Sequence, residues 1–305
     1  MVLCRYLAFY TFTFSPTKNA MTDHKAAFDR DGFLILPRFF SEARIDSFVA
    51  AVRSNVDARP PEITIDLLDT NERKRLSSLT LEQVQTLRMK VNDLYLTMPD
   101  VRDLALDPQL AQILNDCMTM PVALCNSLYL EKGSAQDPHV DAIYMAPKTP
   151  GHLLASWIAL EDVHEDAGPL EYFPGSHLIP QWKFSDGSCR SVPSEMDQWE
   201  AYMHSQVSER GLRKEPFFAK KGDVFIWHAH LLHGGGSIND PGRTRRSTVF
   251  HYFTAADSRK LGYKMVAHDA TYWIKRGHPR VPGEMPNVTT AIIDRALQKV
   301  RRTLS

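Results

Sequence analysis

This chain of 305 residues has only four cysteines, at 4, 117, 125 and 189, and none falls in a C-x-x-C or Cys/His spacing. A disulfide framework and a structural zinc knot are thereby excluded, and single thiols suit a reducing compartment. The charge balance is also without bias: Lys+Arg and Asp+Glu both total 36. That removes the electrostatic footprint of a nucleic-acid or membrane-surface binder and leaves a small molecule as the expected partner. No run is apolar and long enough for a membrane helix. No internal repeat, low-complexity tract or Gly/Ser linker divides the chain. We expect a cytoplasmic protein whose residues 21–305 form one domain. Residues 1–20, apolar but broken by Arg5, are expected to be a disordered or mis-started extension.

What is present reads in two parts. The N-terminal third is predicted mostly helical. Ser41 caps "EARIDSFVAAV", with Ile45, Phe48, Val49 and Val52 at helical spacing. A second helix is expected over "LEQVQTLRMKVNDLY" from Leu81, and a third opens at Asp107–Pro108. From Pro121 to about 254, short β-forming runs follow one another: "VALCNSLYL", "HVDAIYM", "HLLASWIAL", "LEYFPGSH", "DVFIWHAHLLH" and "RRSTVFHYF". Punctuated by Gly, Pro and Asp, they predict an antiparallel sandwich or jelly roll. Residues 181–216 read as a lid-like insertion over the barrel mouth, and a last helix is expected at about 288–304.

The candidate chemistry starts at "QDPHVDAIY". In a strand, His139 and Asp141 would share one face, as a salt bridge, half of a catalytic pair, or two ligands of one metal. Two histidines and a carboxylate make the facial triad of non-haem Fe(II) oxygenases, with coordination positions left open on one side. A third ligand would come from "GDVFIWHAHLLHGGGS", which offers His228, His230 and His233. The first two read as packed or hydrogen-bonded imidazoles. His233 stands where the strand meets three glycines that allow close backbone approach. "RTRRSTVF" follows, and an arginine held rigidly in a barrel can clamp a carboxylate through two parallel hydrogen bonds.

These blocks, with "FDRDGFLILPRFFS", "MKVNDLYLTMPDVRDLALDP" and "SWIALEDVHEDAGPLEYFPGSH", resemble the phytanoyl-CoA dioxygenase-like family of Fe(II)/2-oxoglutarate oxygenases over roughly residues 24–254. The resemblance implies a mainly β protein with flanking helices around a double-stranded β-helix (jelly-roll) core. It implies iron ligands His139, Asp141 and His233. It also implies a 2-oxoglutarate pocket that includes Lys90, Leu128, Trp157 and one arginine. Aligning "RRSTVFHYF" on its aromatic end picks Arg245, twelve residues after His233 and one later than the family's usual spacing, with Ser247 on the same face. Arg243 is the alternative anchor. Gly235 is a second departure, standing where relatives often carry a serine that can hydrogen-bond the cosubstrate.

The implied reaction consumes O2 and 2-oxoglutarate, releases succinate and carbon dioxide, and hydroxylates or otherwise oxidises a small metabolite or natural-product intermediate. Related halogenases replace the carboxylate ligand by a small residue, so Asp141 points to hydroxylation. No general base beyond the iron centre is assigned. Tyr144, and Trp182, Phe184 and Trp199 of the insertion, are candidates for the substrate wall. Two competing readings are a catalytically inactive metal- or 2-oxoglutarate-binding barrel and a zinc-dependent cupin-like enzyme. The sequence leaves the oligomeric state and the substrate open.

Overall fold

The computed structural model describes residues 19–284; residues 1–18 and the helix expected at 288–304 lie outside the described residues. In chain order the elements are α1 (Asn19–Asp31), β1 (Phe33–Leu36), α2 (Glu42–Ala58), β2 (Thr64–Leu67), β3 (Arg73–Arg75), α3 (Leu81–Thr86) and β4 (Met89–Asn92). Then come α4 (Pro99–Ala105), α5 (Pro108–Met118), β5 (Val122–Leu130), β6 (Leu153–Ala159), β7 (Leu170–Tyr172), α6 (Met196–Glu209) and β8 (Glu215–Phe217). The chain continues through β9 (Val224–His228), β10 (His233–Gly235), β11 (Ser247–Thr254), α7 (Ala255–Lys260), β12 (Met265–His268) and β13 (Thr271–Ile274). No helix among the described residues is long and apolar enough to cross a membrane.

Two sheets face each other. The large one runs β1-β9-β6-β11-β5-β4-β2-β3, with β13 and β12 added beside β5, and the small one runs β10-β7-β8. Period-two alternation explains the layering, because successive side chains leave opposite faces of a strand. On the outer face of the large sheet, Val224, Ile226, Leu154, Ile158, Leu124, Phe250 and Tyr252 pack with Phe28, Ile45, Phe48, Val52, Leu110 and Leu114 of α1, α2 and α5. On the inner face, Ala155, Trp157, Phe225 and Trp227 meet Leu170, Tyr172 and Phe217 of the small sheet. Strand β6 is buried at all seven positions because both of its faces are covered.

The local start signals are met. The Ser41 side chain accepts from Arg44 N–H, and Asp107 accepts from the amides of Gln109 and Leu110 with Pro108 in the first turn. Two sequence expectations are corrected. The helix from Leu81 stops at Thr86, although Thr80 and Gln83 form a reciprocal capping box. Met89–Asn92 instead become β4, hydrogen-bonded between β2 and β5. Cross-strand pairing overrides a helical propensity that is only a weak prior. The N-terminal third therefore supplies four strands to the large sheet as well as its helices. Similarly, "HVDAIYM" is no strand: His139 makes one isolated bridge and Asp141–Ile143 is a 3-10 turn.

Candidate metal centre and its cavity

His139 and His233 are brought together by the backbone. Each N–H donates to the other's carbonyl, at 2.8 and 3.0 Å, making a directly opposed antiparallel pair at the edge of the small sheet. Opposed residues project to the same face, and the ring centroids are 4.5 Å apart. Both rings are oriented from behind: Nδ1 lies 2.9 Å from the Asp137 carbonyl in His139 and 2.9 Å from the Leu231 carbonyl in His233. Those bonds assign the proton to Nδ1 and leave Nε2 as a lone-pair donor, the outer-shell pattern of a metal-binding imidazole. The turn at Asp141 then swings its carboxylate inward, with Oδ1 3.8 Å from each Nε2. The three donor atoms lie within 4.8 Å of one another, close enough to converge on one ion.

Electrostatics favour the ligand forms. Burial, with repulsion from His233, pushes His139 down to about 3, and burial lowers His233 as well, so both rings are neutral near pH 7. Burial opposes ionisation of Asp141, but the imidazoles of His251, His233 and His139 outweigh it and hold the carboxyl well below the usual range. Asp141 Oδ2 accepts the indole N–H of Trp227 at 2.7 Å.

The triad borders a cavity of about 460 Å³ whose floor is the inner face of β2, β4, β5 and β11. Lys90, Leu128 and Trp157 line it. Arg245 reaches in from the residue pair before β11; it is 3% exposed, and its Nε has no hydrogen-bond partner. Burial pushes the guanidinium down to about 10, it stands 5.7 Å over the Trp157 ring, and no acidic side chain among the described residues ion-pairs with it. Ser247 Oγ, buried two positions further on, is likewise without a partner. Arg246 turns the other way, onto Glu131 at 2.7 Å and Glu161 at 3.0 Å. Arg243 sits with Asp240 at 3.1 Å in an exposed turn, away from the cavity.

A buried guanidinium without an anion is costly, and so is a buried hydroxyl without a partner. Together with the neutral-His/carboxylate donor set, they fit a divalent metal chelated by a ligand whose far carboxylate reaches Arg245. A simple cation site would leave that arginine unexplained.

The substrate-wall candidates divide. Tyr144 lines the cavity and is 50% exposed. Trp182, Phe184 and Trp199 do not line it, which corrects that expectation. Phe184 and Trp199 pack with Met203 of α6 against Val140 and Ile143, and Trp182 leans on Tyr202. Helix α6 lies inside the segment read as a lid, and its apolar stripe draws these rings into a satellite core behind the metal-binding turn. The glycines after His233 do allow a close backbone approach, as read from sequence. A Cβ at Gly234 would come within 2.7 Å of the Gln136 carbonyl, and one at Gly235 within 2.8 Å of Ala135 N and against Ser134 Oγ. The approaching group is the 134–138 loop that carries His139.

Sequence reasoning missed Asn92, Asn126, Gln136, Trp227 and His251, all of which line the cavity, and the Asp66–Arg73 pair at its side. The signal was alternation: Asn92 is two past Lys90, Asn126 two before Leu128, and His251 lies six past Arg245 on β11.

His228 and His230 stay outside the triad, as read from sequence. Burial pushes them to about 3 and about 4, and His228 Nδ1 accepts the His230 amide, as a neutral ring does. Both folded values lie below the unfolded 6.5, so the unfolded chain binds more protons between about 6.5 and 3. Their contribution to stability is complete above pH 6.5 and is lost as pH falls through that window. Thermal melts of the metal-free protein from pH 7.5 to 4.5 should show a falling midpoint. In H228Q/H230Q the slope should flatten; an unchanged slope would mean other groups carry it.

A jelly roll that gathers two histidines and a carboxylate on one side of a cavity has the donor set of a mononuclear facial-triad metal site. The phytanoyl-CoA dioxygenase (PhyH) family profile matches residues 28–247, and the chain belongs to this family. Phytanoyl-CoA dioxygenase domain-containing protein 1 of Rattus norvegicus is 24% identical over 164 residues, covering 52% of this chain and 54% of that protein. The Caenorhabditis briggsae homologue is 22% identical over 187 residues, covering 52% and 65%. The chain thus spans about half to two thirds of these curated relatives. Among solved structures, the alpha-ketoglutarate-dependent epimerase SnoN from nogalamycin biosynthesis superposes with a TM-score of 0.60 at 20% identity, covering 89% of this chain and 93% of that one. EctD from S. alaskensis, with 2-oxoglutarate and 5-hydroxyectoine, gives 0.57 at 20% identity, covering 88% of each. These likenesses establish the shared fold.

Proposed function

We propose that the protein is an Fe(II)- and 2-oxoglutarate-dependent dioxygenase acting on a small molecule, with hydroxylation as its reaction. The observation that carries the reading is Arg245: a buried, unpaired guanidinium opening into the same cavity as His139, Asp141 and His233. His139, Asp141 and His233 hold the ferrous ion, which when bound supplies oxygen activation coupled to decarboxylation of 2-oxoglutarate to succinate and carbon dioxide. Arg245 pairs with the distal carboxylate of the cosubstrate, Ser247 donates its free hydroxyl beside it, and Trp157 supports the guanidinium plane. Lys90, whose Nζ donates to Gln136 Oε1 at 2.7 Å, adds positive charge on the metal side of the pocket, and Leu128 walls it.

The substrate enters beside Tyr144 and meets a polar wall that includes Asn92 and Asn126. That wall supports a hydrogen-bonding metabolite or natural-product intermediate, in keeping with the nogalamycin and 5-hydroxyectoine chemistry named for SnoN and EctD. A hydrolytic zinc site is disfavoured because it leaves Arg245 without an anion.

The test is an anaerobic titration of 2-oxoglutarate into the Fe(II)-loaded protein, followed by visible absorption. A weak charge-transfer band saturating with one equivalent supports the reading. Iron bound without such a band would overturn it.

A further inference from the structure

We propose that a buried polar relay of His251, Asn126, Asp93 and Arg276 holds the Asp141 carboxylate in its metal-binding pose, which makes the C-terminal segment part of the metal site. The inference rests on the assignment of Asp141 as a ligand.

The two oxygens of Asp141 face different neighbours. Oδ1 looks toward the His139 and His233 Nε2 atoms, 3.8 Å from each. Oδ2 looks back into the protein, toward Trp227 Nε1 at 2.7 Å and His251 Nε2 at 3.5 Å. His251 is 5% exposed, and its other nitrogen, Nδ1, lies 2.9 Å from Asn126 Oδ1. The amide of Asn126 has no choice of orientation, because its Nδ2 donates to Asp93 Oδ1 at 2.9 Å. Asn126 Oδ1 must therefore accept from His251 Nδ1–H, which fixes the plane of the imidazole, and the ring then holds Asp141 Oδ2 as an imidazolium that carries a second hydrogen on Nε2.

Asp93 is the pivot. It is fully buried, in a left-handed backbone conformation at φ 57° directly after β4. Oδ1 also accepts from Ser127 N–H at 3.2 Å, and Oδ2 accepts from Arg276 Nη2 at 2.8 Å. Arg276 is delivered from beyond β13, which pairs in parallel with β5 at Ala123 and Leu124, and it also donates to the Cys125 carbonyl at 3.2 Å. A buried anion needs a paired cation, and here the cation comes from 183 residues further along the chain. The relay does not close on itself as an ordinary core network would; it ends on the carboxylate that faces the two histidines. Trp227 alone would leave Asp141 free to rotate about its single bond to the indole. A second contact at Oδ2 sets the rotation, and with it the direction of Oδ1.

The test uses the full chain, stripped with EDTA, and Co(II) as the probe, read by calorimetry and by the Co(II) visible spectrum at neutral pH, with melts of the metal-free proteins alongside. H251L should bind Co(II) about 10–100-fold more weakly, the range typical for loss of an outer-shell partner. H251Q, which restores an amide N–H, should recover much of that affinity. R276M should show a smaller loss, and H251L/R276M should be no worse than H251L, because both changes cut one chain. Wild-type affinity in H251L, with or without a lowered melting temperature, would overturn the positioning role. Losses that multiply in the double variant would overturn the relay. Absence of Co(II) binding by the wild type would overturn the triad itself, and the relay with it.

Discussion

R245M should raise the dissociation constant for 2-oxoglutarate roughly 30-fold to several thousand-fold, corresponding to the about 2–5 kcal/mol lost when one partner of a buried charge pair is truncated. Without cosubstrate the same change should leave the protein as stable as the wild type or more so. Arg245 is 3% exposed, lacks an ion pair, and is already pushed down to about 10 by burial. Its charge is an uncompensated cost until an anion arrives, and methionine fills much of the same volume without that cost. R245K should fall between, because an ammonium keeps the charge and loses the planar fork. R243M should behave as wild type, since Arg243 is paired with Asp240 on the surface. Calorimetric titration of 2-oxoglutarate with Mn(II) present, beside urea denaturation of the apo proteins, measures both effects. Unchanged cosubstrate affinity in R245M would remove the anchor. A destabilised apo R245M would show that the guanidinium is satisfied by the protein itself.

D141A should abolish metal-dependent turnover and the stabilisation that metal confers. A protein with Mn(II) at 100 times its dissociation constant gains about 2.7 kcal/mol against unfolding. Wild-type melts should rise accordingly on adding Mn(II), and D141A melts should not. The metal-free variant should itself be less stable, by about 1–3 kcal/mol, because Trp227 loses its acceptor in a buried site. Turnover or a metal-dependent shift persisting in D141A would sink the ligand assignment. A variant that loses the shift yet gains apo stability would mean that desolvation of Asp141 outweighs its contacts.

The chain's own residue order determined a good deal of this protein. Alternating apolar runs from Pro121 onward specify strands whose two faces are both covered, and these form the jelly roll. Ser41 and Asp107 start their helices because short polar side chains satisfy free amides locally, with no help from distant residues. His139 and Asp141 were legible as candidate ligands from residue type and spacing, whereas His233 as the third ligand and Arg245 over Arg243 were picked out through the family resemblance.

Tertiary structure decided the rest. Lys90 lies on a strand where helical periodicity was read, because β2 and β5 offered backbone partners that local propensity does not see. His139 and Asp141 converge through a reciprocal backbone pair and a 3-10 turn, where a strand pleat was expected. Trp182 and Phe184 were drawn from the cavity by the apolar face of α6, a competition between two burial sites that aromatic composition cannot resolve. His251 and Arg276 were out of reach for a simpler reason. Hydrogen bonds and Coulomb attraction act over a few ångströms of space, and the partners of Asp141 and Asp93 lie 110 and 183 residues away along the chain.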